Sequence, residues 1–186
     1  MTRRVMVDIE TLGLEPGAAI LSIGAVEFAM DRRRDTFYRT ISRESNEDAG
    51  LTVDEETLEW WREQDESAQR TLHNGGDLAE SMEAFAEWID GADEVWANSP
   101  SFDCELLEAA GAAVDVQMPW EFYEERDFRT LKKLPVAVEV EHDGVKHNAL
   151  DDALHQAKVA QQTLERLEAA AGTAPEAEQN GGENVE

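Results

Sequence analysis

The chain has 186 residues, 41% of them apolar, which suffices for one domain with a hydrophobic core. Its 42 acidic residues against 16 Lys and Arg leave a net charge of −26, the reverse of the balance that phosphate contacts usually call for. A single cysteine, Cys104, excludes an internal disulfide and a cysteine-rich zinc site, and no apolar run reaches the ~18 residues of a membrane span.

The opening MTRRVMVDIE turns charged at Asp8 with no apolar stretch before it, so no secretory leader is expected and a cytoplasmic location is. Residues 4–9 alternate and are rich in Val and Ile, which predicts a strand; 19–28 and 35–41 predict two more, joined by a hairpin through 29–34. Residues 54–64 follow an N-cap signal and predict a helix, with a loop after it at 73–76. In 77–90, Leu78, Met82, Phe85 and Ile89 form one helical stripe. A short strand is expected at 94–97, a helix capped by Ser101 over 101–110, a strand near 125–128 with irregular chain through Pro135, and a last helix over 148–168. Residues 1–168 are therefore the folded domain, and 169–186 an acidic tail without fixed structure. Five strands interleaved with helices give an α/β fold, a central mixed five-stranded sheet flanked by helices.

Asp8 and Glu10, two apart on a strand, project from the same face at its carboxyl end. Two anions in one half-buried place are costly unless a divalent metal compensates them; the alternative is that the strand ends and both are solvated. Asp103 follows the apolar strand VWAN through a Ser-Pro-Ser turn, and reads either as a third ligand or as a helix-start acid complementing the dipole. In HNALDDA (147–153), Asp152 lies on the last helix and His147 on the loop before it, with Asn148 or nearby backbone as the cap. That arrangement reads either as a rigid ligand paired with a base free to swing or as an exposed His ahead of an acidic helix start. Asp151 reads as a solvated helix-start residue.

Taken in this order, DIETLG (8–13), NSPSFD (98–103) and HNALDDA (147–153) resemble the DEDDh exonucleases, the DnaQ-like or ribonuclease T-like superfamily with its ribonuclease H-like fold. The likeness runs over about residues 4–165. His147 stands five before Asp152, as in the histidine branch; the tyrosine branch would need Tyr where Asn148 stands. WWREQ (60–64) and RDFRTLK (126–132) resemble a subgroup that includes mycobacterial-type 3′→5′ exoribonucleases and phage-encoded exonucleases.

The resemblance implies that Asp8, Glu10, Asp103 and Asp152 are metal ligands for two divalent ions, Mg²⁺ or Mn²⁺, and that His147 is the general base. The expected activity is 3′→5′ hydrolysis at single-stranded RNA or DNA ends, with a tilt toward RNA; a catalytically inactive binding module on the same fold is the alternative. A homodimer is expected from the same likeness. Thr11 and Leu12 are expected to cradle the terminal nucleotide, with Gly13 allowing close approach. Phe102, Trp60 and Trp61 are candidates to stack on bases, one of the two adjacent tryptophans pointing inward, and Gln64 is a candidate hydrogen-bonding contact. Trp88, Trp96 and Phe85 are assigned to the core. Arg126, Arg129, Lys132 and Lys133 form either a phosphate track or ion pairs with Glu124 and Glu125. His73, His142 and His155 receive no role. The acidity then reads as adaptation to very high salt, where a Debye length of about 3 Å or less screens repulsion from phosphate.

Overall fold

The computed structural model describes residues 2–29, 35–64, 69, 72 and 75–172. The hairpin turn at 30–34, His73 with Asn74, and the tail from 173 onward lie outside the described residues.

Strand β1 (Arg4–Thr11) is the axis of the sheet. It pairs antiparallel with β2 (Ile20–Phe28), which pairs antiparallel with β3 (Thr36–Thr40). On its other side β1 pairs parallel with β4 (Glu94–Ala97), which pairs parallel with β5 (Glu125–Asp127). The order β3-β2-β1-β4-β5 is the mixed five-stranded sheet that the strand pattern predicts.

Alternation along β1 sorts the two faces. Val5, Val7 and Ile9 pack toward α3 (Leu78–Ile89) and α4 (Pro100–Ala113), where Leu78, Met82, Phe85 and Ile89 are all buried as their spacing requires. Met6 faces the other way, against α6 (Ala149–Gly172) and α5 (Phe128–Leu131). Asp8 and Glu10 share Met6's parity and so face α6. Phe85 and Trp96 are buried as expected, whereas Trp88 is only partly buried and reaches Asp35 with its indole N–H.

Several elements differ from expectation. Helix α1 (Arg43–Asp48) is too polar to show an apolar stripe; Ser42 caps it, and its buried Asn46 bonds both the N–H and the C=O of Ile20. Helix α5 is a single turn capped by Asp127, too short for periodicity to register. Helix α2 (Glu55–Arg62) is capped by Asp54, which the sequence pattern places inside the helix. Helix α4 starts at Pro100, not after a Ser101 cap: proline occupies the first turn, and Ser99 stands at the cap without a side-chain bond. Helix α6 continues to Gly172, four residues into the stretch expected to be tail, since its alanines there keep a high helix propensity. No helix among the described residues is long and apolar enough to cross a membrane.

What positions the site is the seat of α6. Ala149, Ala153, Ala157 and Ala160 are fully buried and let the helix lie low on the sheet. Its first turn crosses β2 at Gly24, where a Cβ would strike the backbone of Ala149 and Leu150. Gly24 is the register partner of Asp8, so this close approach brings Asp152 over the carboxyl end of β1. Gly24→Ala is therefore expected to lift the helix, costing at least ~3 kcal/mol and roughly 10 °C in Tm, with divalent-cation affinity lost alongside. Thermal melts with and without Mn²⁺ check this; an unchanged cation response would contradict it.

Candidate metal centre and its cleft

Carboxylate oxygens of Asp8, Glu10 and Asp152 all lie within 4.8 Å of one another, each side chain partly buried. A register shift between Glu10 and Thr11 bends β1 just beyond the pair. Asp103, 4% exposed, comes from the first turns of α4 and accepts the Ser99 N–H at 3.3 Å. The backbone N–H of Ile9 lowers the pKa of Asp103, and the Asp103 charge acts on Asp8 and Glu10, so Asp103 stands beside the end of β1. This position meets the helix-start reading of Asp103, whose oxygens are not among those that meet within 4.8 Å.

Neutral donors hold two of the carboxylates. Gln156 Nε2 donates to Asp8 Oδ1 at 2.7 Å. His142 Nε2 lies 2.7 Å from Asp152 Oδ1, and Gly144 N–H donates to His142 Nδ1 at 3.2 Å. Because Nδ1 accepts, the proton sits on Nε2, and neutral His142 donates to Asp152. The other oxygen, Asp152 Oδ2, accepts the backbone N–H of His147 at 3.0 Å. Sequence reasoning assigns His142 no role, because it lies in a stretch without periodicity and ten residues from the carboxylate that it meets. Gln156, one turn beyond Asp152 on the face toward the sheet, was legible in principle from that spacing.

Among the described residues no lysine or arginine pairs with Asp8, Glu10, Asp103 or Asp152. The electrostatics reflect this. Burial, then the charges of Asp103, Glu10 and Asp152, raises Asp8 well above the usual carboxylate range, against the Gln156 bond. Burial and the charges of Asp152 and Asp103 push Glu10 up to about 8. Burial pushes Asp103 up to about 7, opposed by N–H groups of Ser99, Asp103 and Ile9 and by the charge of Arg129. An oxygen-only set of carboxylates with no cationic partner suits a hard divalent ion.

Beside the carboxylates opens a cleft of about 630 Å³, lined by Glu10, Thr11, Leu14, Trp60 and Phe102 among others. The His147 ring stands edge-on to Trp60, centroids 5.0 Å apart, on a backbone at φ 61° that few non-glycine residues adopt.

The sequence model of the Rv2179c-like 3′-5′ exoribonuclease domain matches residues 3–164. The chain belongs to this family. By that membership it is a 3′→5′ exonuclease. No curated protein matches it. Among solved structures it is similar to the nuclease domain of 3′hExo bound to rAMP, a DEDDh family member, at 14% identity and TM-score 0.59, over 88% of this chain and 92% of that one. It is similar to exonuclease X in complex with 5′-overhanging duplex DNA, at 14% identity and TM-score 0.55, over 90% and 93%. E. coli exonuclease I in complex with an oligonucleotide matches at 14% identity and TM-score 0.60, over 91% of this chain but 42% of that longer one.

In this family member the expected substrate contacts divide. Phe102 lines the cleft, and so does Thr11, though Thr11 is buried and its hydroxyl bonds the Gly13 carbonyl. Leu12 does not: it is fully buried in the core, and the exposed apolar side chain is Leu14. Trp61 also lines the cleft but is 1% exposed and donates its indole N–H to the Thr11 carbonyl, so the ring more open to solvent is Trp60, 42% exposed. Gln64 caps its own helix, Nε2 on the Trp60 carbonyl, and is not part of the cleft. Asp151 is not simply solvated: it accepts the Val145 N–H and ties down the loop before α6, while Asn148 caps that helix as expected.

The raised carboxylates fix a sign for the pH dependence. The metal-free fold holds protons on Glu10 and Asp103 that the unfolded chain has released, so their contribution is full below about pH 4 and is lost as pH rises through 7 to 8. A divalent ion removes that loss. The rise in Tm on saturation with Mn²⁺ is expected to be larger at pH 8 than at pH 6 by roughly 5 °C. Equal shifts at both pH values would contradict the arrangement.

Proposed function

We propose that the protein removes nucleotides one at a time from the 3′ ends of single-stranded nucleic acid, RNA ahead of DNA. The observation that carries this reading is the meeting of Asp8, Glu10 and Asp152 within 4.8 Å at the sheet's end, with Asp103 packed against the same strand. These four carboxylates would hold two Mg²⁺ or Mn²⁺ ions. The related fold of S. pombe Pop2p, solved in an Mg²⁺- and Mn²⁺-bound form (13% identity, TM-score 0.57, 84% of this chain and 80% of that one), supports the choice of ions. Bound divalent ions supply Lewis acidity, bringing the pKa of water from 15.7 toward roughly 7 and offsetting charge on the departing oxygen.

The chain's own residues do the rest. The terminal base enters the cleft between Trp60, Phe102 and Leu14. Water attacks the last phosphodiester; a new O–P bond forms, the bond from phosphorus to the 3′-oxygen breaks, and a 5′-mononucleotide leaves. His147, at the rim beside Trp60, accepts the proton of the attacking water. Gln156 and His142 keep Asp8 and Asp152 aimed. The net charge of −26 adapts the protein to high salt.

Digestion of matched 5′-labelled RNA and DNA oligonucleotides with Mg²⁺ or Mn²⁺, over a wide range of KCl, tests this. A ladder shortening by single nucleotides, faster on RNA and at high salt, is expected. Internal cuts would sink the exonuclease reading. Asp8→Ala and Asp152→Ala should fall to background while the metal-free proteins remain folded, because each removes a buried like charge. His147→Ala should lose about 10²- to 10⁴-fold in kcat yet keep its Mn²⁺ response in a melt.

A further inference from the structure

The carboxylates lie between two clefts of different character. Glu10 lines the first, of about 630 Å³; Asp152, whose oxygen lies within 4.8 Å of Glu10's, lines a second, of about 500 Å³. The first is walled by aromatic rings and by Glu15, Asp54 and Glu56, with no lysine or arginine in its lining. The second has Asn98 and Lys132 in its wall, and Phe128 and Val140 beneath.

Lysine is scarce here, with only four in a chain of net charge −26, so the placing of this one is informative. Lys132 Nζ donates to Asn98 Oδ1 at 3.0 Å and lies 5.3 Å from the centroid of the Phe128 ring. Neither partner neutralises it. Its neighbour in sequence Arg126 is spent structurally, 3.8 Å from Glu94 and donating to the carbonyls of Tyr123 and Glu125. Of the two readings of the basic run, ion pairing with the Glu124 and Glu125 side chains is not seen among the described residues; Arg126 pairs with Glu94. Lys132 shares the lining of that cleft with the acids Glu139 and Asp152, and Asp127 also acts on its charge.

A strand lying across the carboxylates has a fixed polarity. Its terminal nucleoside ends in a 3′-hydroxyl and carries no phosphate beyond the scissile one, so an aromatic and acidic cleft accepts it. The nucleotide on the other side brings its own 5′-phosphate, which an acidic wall would repel and an ammonium would attract. We propose that the second cleft is the subsite for the nucleotide 5′ of the scissile bond, with Lys132, steered by Asn98 and Phe128, as the contact to its phosphate. This rests on the nuclease reading above.

The test uses release of the first nucleotide from two oligonucleotides in Mn²⁺: one all-phosphate, the other bearing a single neutral methylphosphonate one position 5′ of the scissile bond. In the wild-type protein the neutral linkage should raise KM about tenfold with kcat little changed. Lys132→Gln should show the same tenfold loss on the ordinary substrate and no further loss on the modified one. It should also flatten the slope of log affinity against log salt by roughly 0.7. Lys132→Arg should restore most of the affinity. Arg43→Gln, which removes the same charge from an exposed ion pair on α1, is the control and should behave as wild type. A Lys132→Gln protein that stays as sensitive to the methylphosphonate as wild type overturns the subsite while leaving the exonuclease intact. Absence of any hydrolysis by the wild-type protein overturns both.

Discussion

Like charges held close together in a half-buried place govern this molecule. Two full negative charges 4.8 Å apart repel by about 3.5 kcal/mol at an effective dielectric near 20, and three carboxylates meet within that distance with a fourth beside them. No lysine or arginine among the described residues is paired with them. The fold answers with weak, neutral means: an amide on Asp8, an imidazole on Asp152 and backbone N–H groups on Asp103. These orient the oxygens without discharging them, so Glu10 and Asp103 hold protons near neutrality until a cation displaces them.

Such a centre needs a frame stiff enough to oppose the repulsion. The frame is the contact of α6 with the antiparallel half of the sheet. Small residues on both sides, Gly24 on β2 and the buried alanines of α6, let backbone meet backbone. The register between β1 and β2 then carries the position of Gly24 to Asp8. The loop before α6 is bound to that helix through Val145 to Asp151, through His142 to Asp152, through the His147 amide to Asp152 and through Asp143 to Lys158. Asp152 is thus both part of the centre and the anchor of the segment that carries His147. Occupying its oxygens with a cation therefore bears directly on how that segment is held.

The strands, the four longer helices and the acidic centre were legible in the sequence because each leaves a periodic or local trace: alternation in β1, the stripe of α3, and the two-residue step from Asp8 to Glu10. What was not legible depends on chain segments brought together from afar. The sequence cannot say that Trp61 rather than Trp60 is the buried ring, since adjacent positions on a helix differ by about 100° and either phase satisfies the local pattern. Leu12 looked like a substrate contact because it follows the acidic pair, yet the bend after Glu10 turns it into the core and leaves Leu14 outside. His142 reaches Asp152 through a loop with no periodicity at all. The one-turn helix α5 is fixed by a cap and two buried apolar residues, Phe128 and Leu131, too few to form a pattern.

The charge distribution follows from the same centre. A surface of net charge −26 repels a polyanion over a Debye length, about 10 Å at 0.1 M salt and about 3 Å at 1 M. Contacts shorter than 3 Å, such as an ammonium on a phosphate, survive that screening better than long-range repulsion does. On the proposed reading the attraction that counts in strong salt is local: cations at the carboxylates, stacking on Trp60 and Phe102, and the few basic groups that face the clefts. A basic surface would add little under such conditions, because its long-range pull is screened as well. The acids that line the first cleft then become selective rather than merely costly. Asp54 illustrates how this comes without a separate design, since it caps α2 through the Thr57 N–H and also lines that cleft. One carboxylate both starts the helix that carries Trp60 and, on the proposed reading, disfavours a chain that would continue past its 3′ end.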